Sequence, residues 1–296
     1  MHITIGSRGS DLALWQAHFV EAELNKLGHD VTIKIIVTKG DRIQDLSFDK
    51  IEGKGFFTKE IETELLSGEI DLAVHSHKDL ETSQPEGLMI GAVSYRENPT
   101  DQLLVLKQSV DEKKPLFIKQ DGVIGTSSAR RKSQILSMRS DLEIKDLRGN
   151  VPTRIEKLRT GNYDAIILAT AGIKRLELDL SDIACFELDP TEFVPAPAQG
   201  VLGLQIRESH NELKSILSQL NHPKVEQAIK IERDVLRLLE GGCQLPLGVY
   251  AQQIDGHWNI QVSHSKSSNE AAIKSVYDTN NPSEIAALIV EEIKTK

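Results

Sequence analysis

The sequence predicts an α/β protein with two α/β domains joined by a hinge and a small C-terminal α/β domain. Three observations carry that reading. Short β-branched runs alternate with amphipathic helical stretches over the first two thirds of the 296 residues, the pattern of α/β units with largely parallel strands. A turn signal, Asn98-Pro99-Thr100-Asp101, breaks this series in two. Beyond about Asn221 the pattern changes to one long helix, three strand-like runs and a closing helix.

The first series opens with the strand Ile3-Thr4-Ile5, followed by a helix over 12–27, a strand over 31–37, a helix over 58–66 and a strand over 70–74. The second has strands over 122–125, 142–144 and 164–169, with helices over 129–138 and 153–160 between them. The proline-rich run 194–200 reads as a connector, and 201–206 as a strand following it. Domain 1 therefore takes 1–98 with 195–219, domain 2 takes 99–194, and domain 3 takes 220–296. The last contains the long helix over 225–239 and the closing helix over 283–294, and no repeat of solenoid period is present.

Hydrophobic residues at 39% and charged residues at 27% are the mixture of an ordinary globular protein. No apolar run approaches the roughly 20 residues that span a bilayer, and the first residues lack the features of a secretion signal, so a cytoplasmic location is expected. A net charge of -9 argues against a nucleic-acid binder, whose affinity rests on clustered Lys and Arg. The expected partner is a small molecule, with no nucleic acid or membrane involved and the chain acting as a monomer. Yet residues 125–160 carry +5, from nine basic and four acidic side chains, in a chain that is otherwise acidic.

Two motifs inside that basic stretch place arginines beside turn residues and small hydroxyls. Gly125-Thr126-Ser127-Ser128-Ala129-Arg130-Arg131 puts hydroxyls at a helix start, where free amides and the helix dipole favour anions. Leu147-Arg148-Gly149-Asn150-Val151-Pro152-Thr153-Arg154 repeats the arrangement, with Thr153 as its cap. Guanidinium groups offer carboxylates paired donors, so an anion site is expected here. Gly6-Ser7-Arg8-Gly9-Ser10, with Gln16 two turns on, is a third helix-start turn. The polar, glycine-containing segment 41–59 suits either a lid or a plain surface loop.

Ala73-Val74-His75-Ser76-His77-Lys78-Asp79 runs off an apolar strand into charged residues, and α/β proteins bind ligands at the C-terminal ends of parallel strands. Asp79 suits an acid, a base or a cation stabiliser; with Lys78 it equally suits a surface ion pair. His75 and His77 have the spacing of a metal pair, but two ligands on one strand do not make a site, and no metal is expected. Cys185, among apolar neighbours, reads as a buried structural thiol. Cys243, in Glu240-Gly241-Gly242-Cys243-Gln244, reads as a nucleophile, an attachment point or an incidental loop cysteine.

Together these motifs resemble the porphobilinogen deaminase (hydroxymethylbilane synthase) family, transferases of tetrapyrrole and heme biosynthesis. Seven stretches match in order: 6–8 with 12–17, 53–60, 73–79, 125–131, 147–150, 164–169 and 240–244. The resemblance implies a dipyrromethane cofactor joined by a thioether to Cys243, and four porphobilinogen units added to it with loss of ammonia before hydrolysis releases hydroxymethylbilane. It further implies that Lys78, Asp79, Thr126, Ser128, Arg130, Arg131 and Arg154 hold the cofactor. Arg8, Ser10, Gln16, Arg148, Asn150, Arg175 and Gln199 would hold substrate, and Asp79 would be the catalytic carboxylate. Departures from the family pattern stand at Pro152, His77 and Glu81, and Pro152 suits the first turn of a helix.

Two rivals remain. The two-lobed pattern with a hinge also resembles periplasmic-type binding proteins, which would make both larger domains periplasmic-binding-protein-like; such a module needs neither Cys243 nor Asp79. A cysteine-dependent acyl transferase or hydrolase would need a histidine oriented near the thiol, and neither His75 nor His257 sits in a motif for that role.

Overall fold

The structure is a computed structural model, and it describes residues 1–42, 58–242 and 244–295. The 41–59 segment, apart from its ends, and Cys243 lie outside the described residues. In chain order the elements begin β1 (His2–Ser7), α1 (Asp11–Lys26), β2 (Asp30–Ile35), α2 (Lys39–Arg42), α3 (Lys59–Ser67), β3 (Leu72–Ser76) and β4 (Leu88–Val93). They continue with β5 (Asp101–Leu106), β6 (Val123–Gly125), α4 (Ala129–Met138), β7 (Glu143–Lys145), α5 (Val151–Arg159), β8 (Ala165–Ala169), α6 (Thr170–Leu176) and β9 (Ile183–Glu187). The last are β10 (Leu202–Arg207), α7 (Asn211–Leu217), α8 (Pro223–Leu238), β11 (Leu247–Ile254), β12 (His257–His264), β13 (Ile273–Thr279) and α9 (Ile285–Thr295).

The chain divides into two compact units, Met1–Glu97 with Gly200–Gln227 and Asn98–Gln199 with Ala228–Lys296. The first is built on a five-stranded sheet ordered β2-β1-β3-β10-β4. β1 runs parallel to β2 and β3, whereas β10 is antiparallel to both β3 and β4. Ile3, Ile5, Leu72, Val74, Leu204 and Ile206 from these strands pack with Val20 and Leu24 of α1 in its core.

The second unit holds a sheet of the same plan, β7-β6-β8-β5-β9. Here β6 is parallel to β7 and β8, and β5 is antiparallel to β8 and β9. Its two faces carry separate cores, one around Leu103, Ile135 and Ile167 and the other around Leu104, Leu158 and Ile166. Such apolar residues at successive positions of β5 and β8 are expected of strands covered on both faces. Residues 228–296 of this unit form a third sheet, the meander β11-β12-β13, whose core joins Val249, Ile260 and Val262 to Val235 of α8 and Ile289 of α9.

The two large sheets are largely parallel, as expected: in each, four strands run one way and one, β10 or β5, runs against its neighbours. Two expectations need correction. Cys185 is exposed: β9 is an edge strand, and the side chains of Ala184 and Phe186 point to the core while that of Cys185 does not. The cap of α5 is Asn150, whose side chain accepts from the Thr153 backbone N–H at 3.0 Å and the Thr153 hydroxyl at 2.6 Å. Pro152 sits in the first turn of α5, where a missing N–H costs nothing.

Candidate active site

In the first unit, β1 runs into the turn that carries Arg8 and Ser10. Gly6 opens that turn because a Cβ there would lie 2.3 Å from Cδ1 of Ile70. Ser10 caps α1, accepting from the Ala13 N–H at 3.4 Å, and Arg8 is half-buried. Gln16 is buried on α1 and donates to the Ser76 hydroxyl at 2.9 Å, fastening the helix to the end of β3.

Beyond Ser76 the chain makes a 3-10 turn, His77–Asp79, closed by the Leu80 N–H donating to the His77 carbonyl at 3.2 Å. The turn leaves Lys78 half-buried and Asp79 exposed, while His77 is buried beside Gly203, where a Cβ would lie 3.2 Å from the ring. His75 is buried one step back, its Nε2 3.0 Å from Oε1 of Gln205. The Gln205 amide donates to Gln84 at 2.8 Å and Glu62 at 3.2 Å, so its oxygen faces the ring and His75 is the donor. Burial above all, with help from the charge of Arg8 and against the pull of Gln205, lowers the His75 pKa to about 4 and keeps the ring neutral. Among the described residues no group of three or more His, Cys, Asp or Glu is placed to hold a metal ion.

In the second unit, β6 ends at Gly125, where a Cβ would lie 2.8 Å from the Tyr163 ring, and passes through Thr126 to α4. The Thr126 hydroxyl accepts from the Ser128 N–H at 3.2 Å, and the Ser128 hydroxyl caps α4 by accepting from the Arg131 N–H at 3.5 Å. Arg130 and Arg131 are both buried and converge on one carboxylate. Nη1 of Arg130 donates to Oδ2 of Asp101 at 2.7 Å and to the Val194 carbonyl at 2.8 Å. Nη2 of Arg131 donates to Oδ1 of Asp101 at 2.7 Å, and its Nη1 to the Ile167 carbonyl at 2.9 Å. Gln199, fully buried, adds a third donor to Asp101 at 3.0 Å. Burial alone would raise the Asp101 pKa, but the two guanidinium charges and their hydrogen bonds outweigh it and hold the carboxyl far below its usual range.

Arg148, before α5, and Arg154, within it, are half-buried, with Nε of Arg154 donating to the Gly149 carbonyl at 2.7 Å, and Arg175 is buried in α6. Thus Arg8, Ser10, Gln16, Lys78 and Asp79 belong to the first unit and the remaining described residues to the second, each set at the C-terminal ends of its own parallel strands. The sequence missed Asp101. Its signal was an acid heading an otherwise apolar strand, Asp101-Gln102-Leu103-Leu104-Val105-Leu106, which asks for a buried partner.

Each unit carries basic side chains at its strand ends, Arg130 and Arg131 of the second on the buried carboxylate of Asp101, and the first also an exposed acid on a short turn; the class is an α/β protein with donors suited to anionic small molecules. The sequence profile described as "Porphobilinogen deaminase, dipyromethane cofactor binding domain" matches residues 3–215, and "Porphobilinogen deaminase, C-terminal domain" matches residues 227–294. Curated porphobilinogen deaminases are similar over most of the chain. That of Nitratiruptor sp. is 45% identical, over 87% of this chain and 81% of its own. That of Geobacillus kaustophilus is 46% identical over 86% and 82%, and that of Chloroherpeton thalassium 41% over 94% and 88%. The chain belongs to the porphobilinogen deaminase family.

Proposed function

We propose that this chain condenses four porphobilinogen molecules, with loss of ammonia, on a dipyrromethane held through a thioether at Cys243, and releases hydroxymethylbilane by hydrolysis. The observation that carries this reading is the exposed carboxylate of Asp79 on its closed 3-10 turn. As ammonia leaves, positive charge develops on the substrate's pyrrole, and a carboxylate fixed in advance stabilises it without reorganisation.

The donor set fits the cofactor. Among the described residues Nε of Arg131 is buried with no hydrogen-bond partner, and two guanidiniums share the negative charge of Asp101, so these three side chains keep a net positive charge for a carboxylate. Arg130, Arg131, Ser128, Thr126, Arg154, Lys78 and Asp79 would hold the dipyrromethane, which when bound supplies the free α-carbon on which the first unit is added. Arg8, Ser10, Gln16, Arg148, Asn150 and Arg175 would orient the incoming porphobilinogen and neutralise its acetate and propionate. Gln199 would act on substrate from behind, since its amide donates to the carbonyls of Pro99 and Thr100 at 2.7 and 3.2 Å and to Asp101. We place the reaction in the cytoplasm with one chain as the working unit. Among the described residues no helix is long and apolar enough to cross a membrane.

Intact-mass spectrometry tests the attachment: an adduct of dipyrromethane size on the purified chain, lost in Cys243→Ser. Asp79→Asn should keep the adduct and the fold but lose about a hundredfold or more in turnover, the size of effect seen when one pre-set electrostatic stabiliser is removed. Turnover near that of the parent enzyme would sink the assignment of Asp79.

A further inference from the structure

We infer that Asp101 is a positioning residue: it orients Arg130 and Arg131 for the cofactor's carboxylates and, through Gln199, ties them to both stretches where the chain passes between its two units. The inference rests on the cofactor-binding reading of these arginines. Successive residues of an α-helix point about 100° apart, so neighbours in sequence do not converge on one point by helix geometry. Arg130 and Arg131 converge because each grips a different oxygen of the same carboxylate, at 2.7 Å in both cases, and each also donates to one backbone carbonyl. Asp101 is wholly buried, so neither arginine loses this partner to water.

The same carboxylate sits at the passages. The chain leaves its first unit between Glu97 and Asn98 and returns to it between Gln199 and Gly200. Gln199 bonds Pro99, Thr100 and Asp101 on the outgoing stretch. On the returning stretch, Val194 accepts from Arg130 at 2.8 Å and from Gln134 at 3.0 Å, and its N–H donates to Gln134 at 2.7 Å. Glu232 of α8 closes the set by accepting from the N–H of Ala198 at 2.7 Å. A ligand that orders the two guanidiniums therefore also orders residues 98–101 and 194–199.

Asp101→Asn keeps the shape, removes the charge and turns an amide group toward at least one guanidinium. Intact mass should show the fraction carrying the adduct falling by about tenfold, the loss produced when the group orienting a ligand residue is removed. Melting curves of loaded and unloaded protein supply the second readout. A staple that only holds the fold would lower both melts equally and leave loading unchanged, which would overturn the inference; a positioning residue shrinks the increment that loading adds. Should Asp101→Asn not fold, hydrogen exchange on the parent enzyme decides, comparing it with unloaded Cys243→Ser. Amides of 98–101 and 194–199 slowed by loading support the inference, and equal rates overturn it. Should Cys243→Ser still carry the adduct, it is the attachment reading that fails.

Discussion

The two five-stranded sheets follow one plan yet put opposite chemistry at matching positions. Aligning β1 with β6 through their parallel pairings sets Ile5 against Ile124, Gly6 against Gly125, and His75 against Leu168. The matched strands β1 and β6 each carry a glycine at or next to their last position, Gly6 pressed against Ile70 and Gly125 against Tyr163, and the helix after each is capped by a serine. The antiparallel strand differs. Opposite Ser76 stands Leu202; opposite Ala169, at the matching place, stands Asp101. One sheet thus buries a neutral histidine–glutamine pair and leaves its acid, Asp79, exposed, whereas the other buries its acid under two arginines. A shared backbone plan fixes where side chains gather and leaves their charge to the sequence.

The largest effect that sharpens this contrast is the acid response of the first sheet. Folded His75 takes up a proton only near pH 4, while an unfolded histidine does so near 6.5, so between those values the unfolded chain holds more protons and stability falls as pH falls. The loss across that window should approach about 3 kcal/mol, and His75→Gln should remove it, as followed by denaturant melts at pH 7 and pH 4.5. An unchanged slope would mean that the pair is no stability element. Asp101 adds to acid sensitivity lower down: its depressed pKa gives stability that is present above the ordinary carboxylate range and lost as pH falls below it.

A smaller effect separates the matched glycines. Gly125→Ala should cost about 2 kcal/mol, because the new methyl meets a Tyr163 ring whose hydroxyl is held by the Asp146 carbonyl at 2.7 Å. Gly6→Ala should cost about 1 kcal/mol, since the atoms it meets are the terminal methyls of Ile70 and Ile36, which yield more readily than a ring held by a hydrogen bond. Reversed costs in thermal melts would break the equivalence of the two turns. Smallest are the caps: Ser10→Ala and Ser128→Ala, compared in unloaded protein, should each lower stability by about 1 kcal/mol or less. Equal shifts are expected from their matching bonds of 3.4 and 3.5 Å.

Much of this was legible beforehand where local pattern decides structure. The strands of Ile3-Thr4-Ile5 and Ile166-Ile167-Leu168 and the helices after Ser10 and Ser128 follow from β-branched runs and hydroxyl caps. What escaped were β4, interrupted by Gly91; β5, headed by an acid; and β9, whose apolar neighbours made Cys185 look buried although the strand lies at the sheet's edge and Cys185 is exposed there. The largely parallel course was read correctly, but the reversal of β5 and β10 was illegible, because it depends on where the long connections return. The candidate ligands were found from their motifs, but the role of Asp101 could not be, since it lies 29 residues from Arg130 and only the sheet brings them together.

The strand that completes the first sheet carries a consequence for synthesis. β10 lies between β3 and β4, yet it is translated after every strand of the second sheet. On the ribosome, residues 101–187 can pair fully while the earlier 97 residues still lack a central strand, reversing the usual order in which the N-terminal part folds first. Until Leu202–Arg207 emerges, the facing edges of β3 and β4 are unpaired, and that interval is when a nascent chain is most exposed to wrong partners.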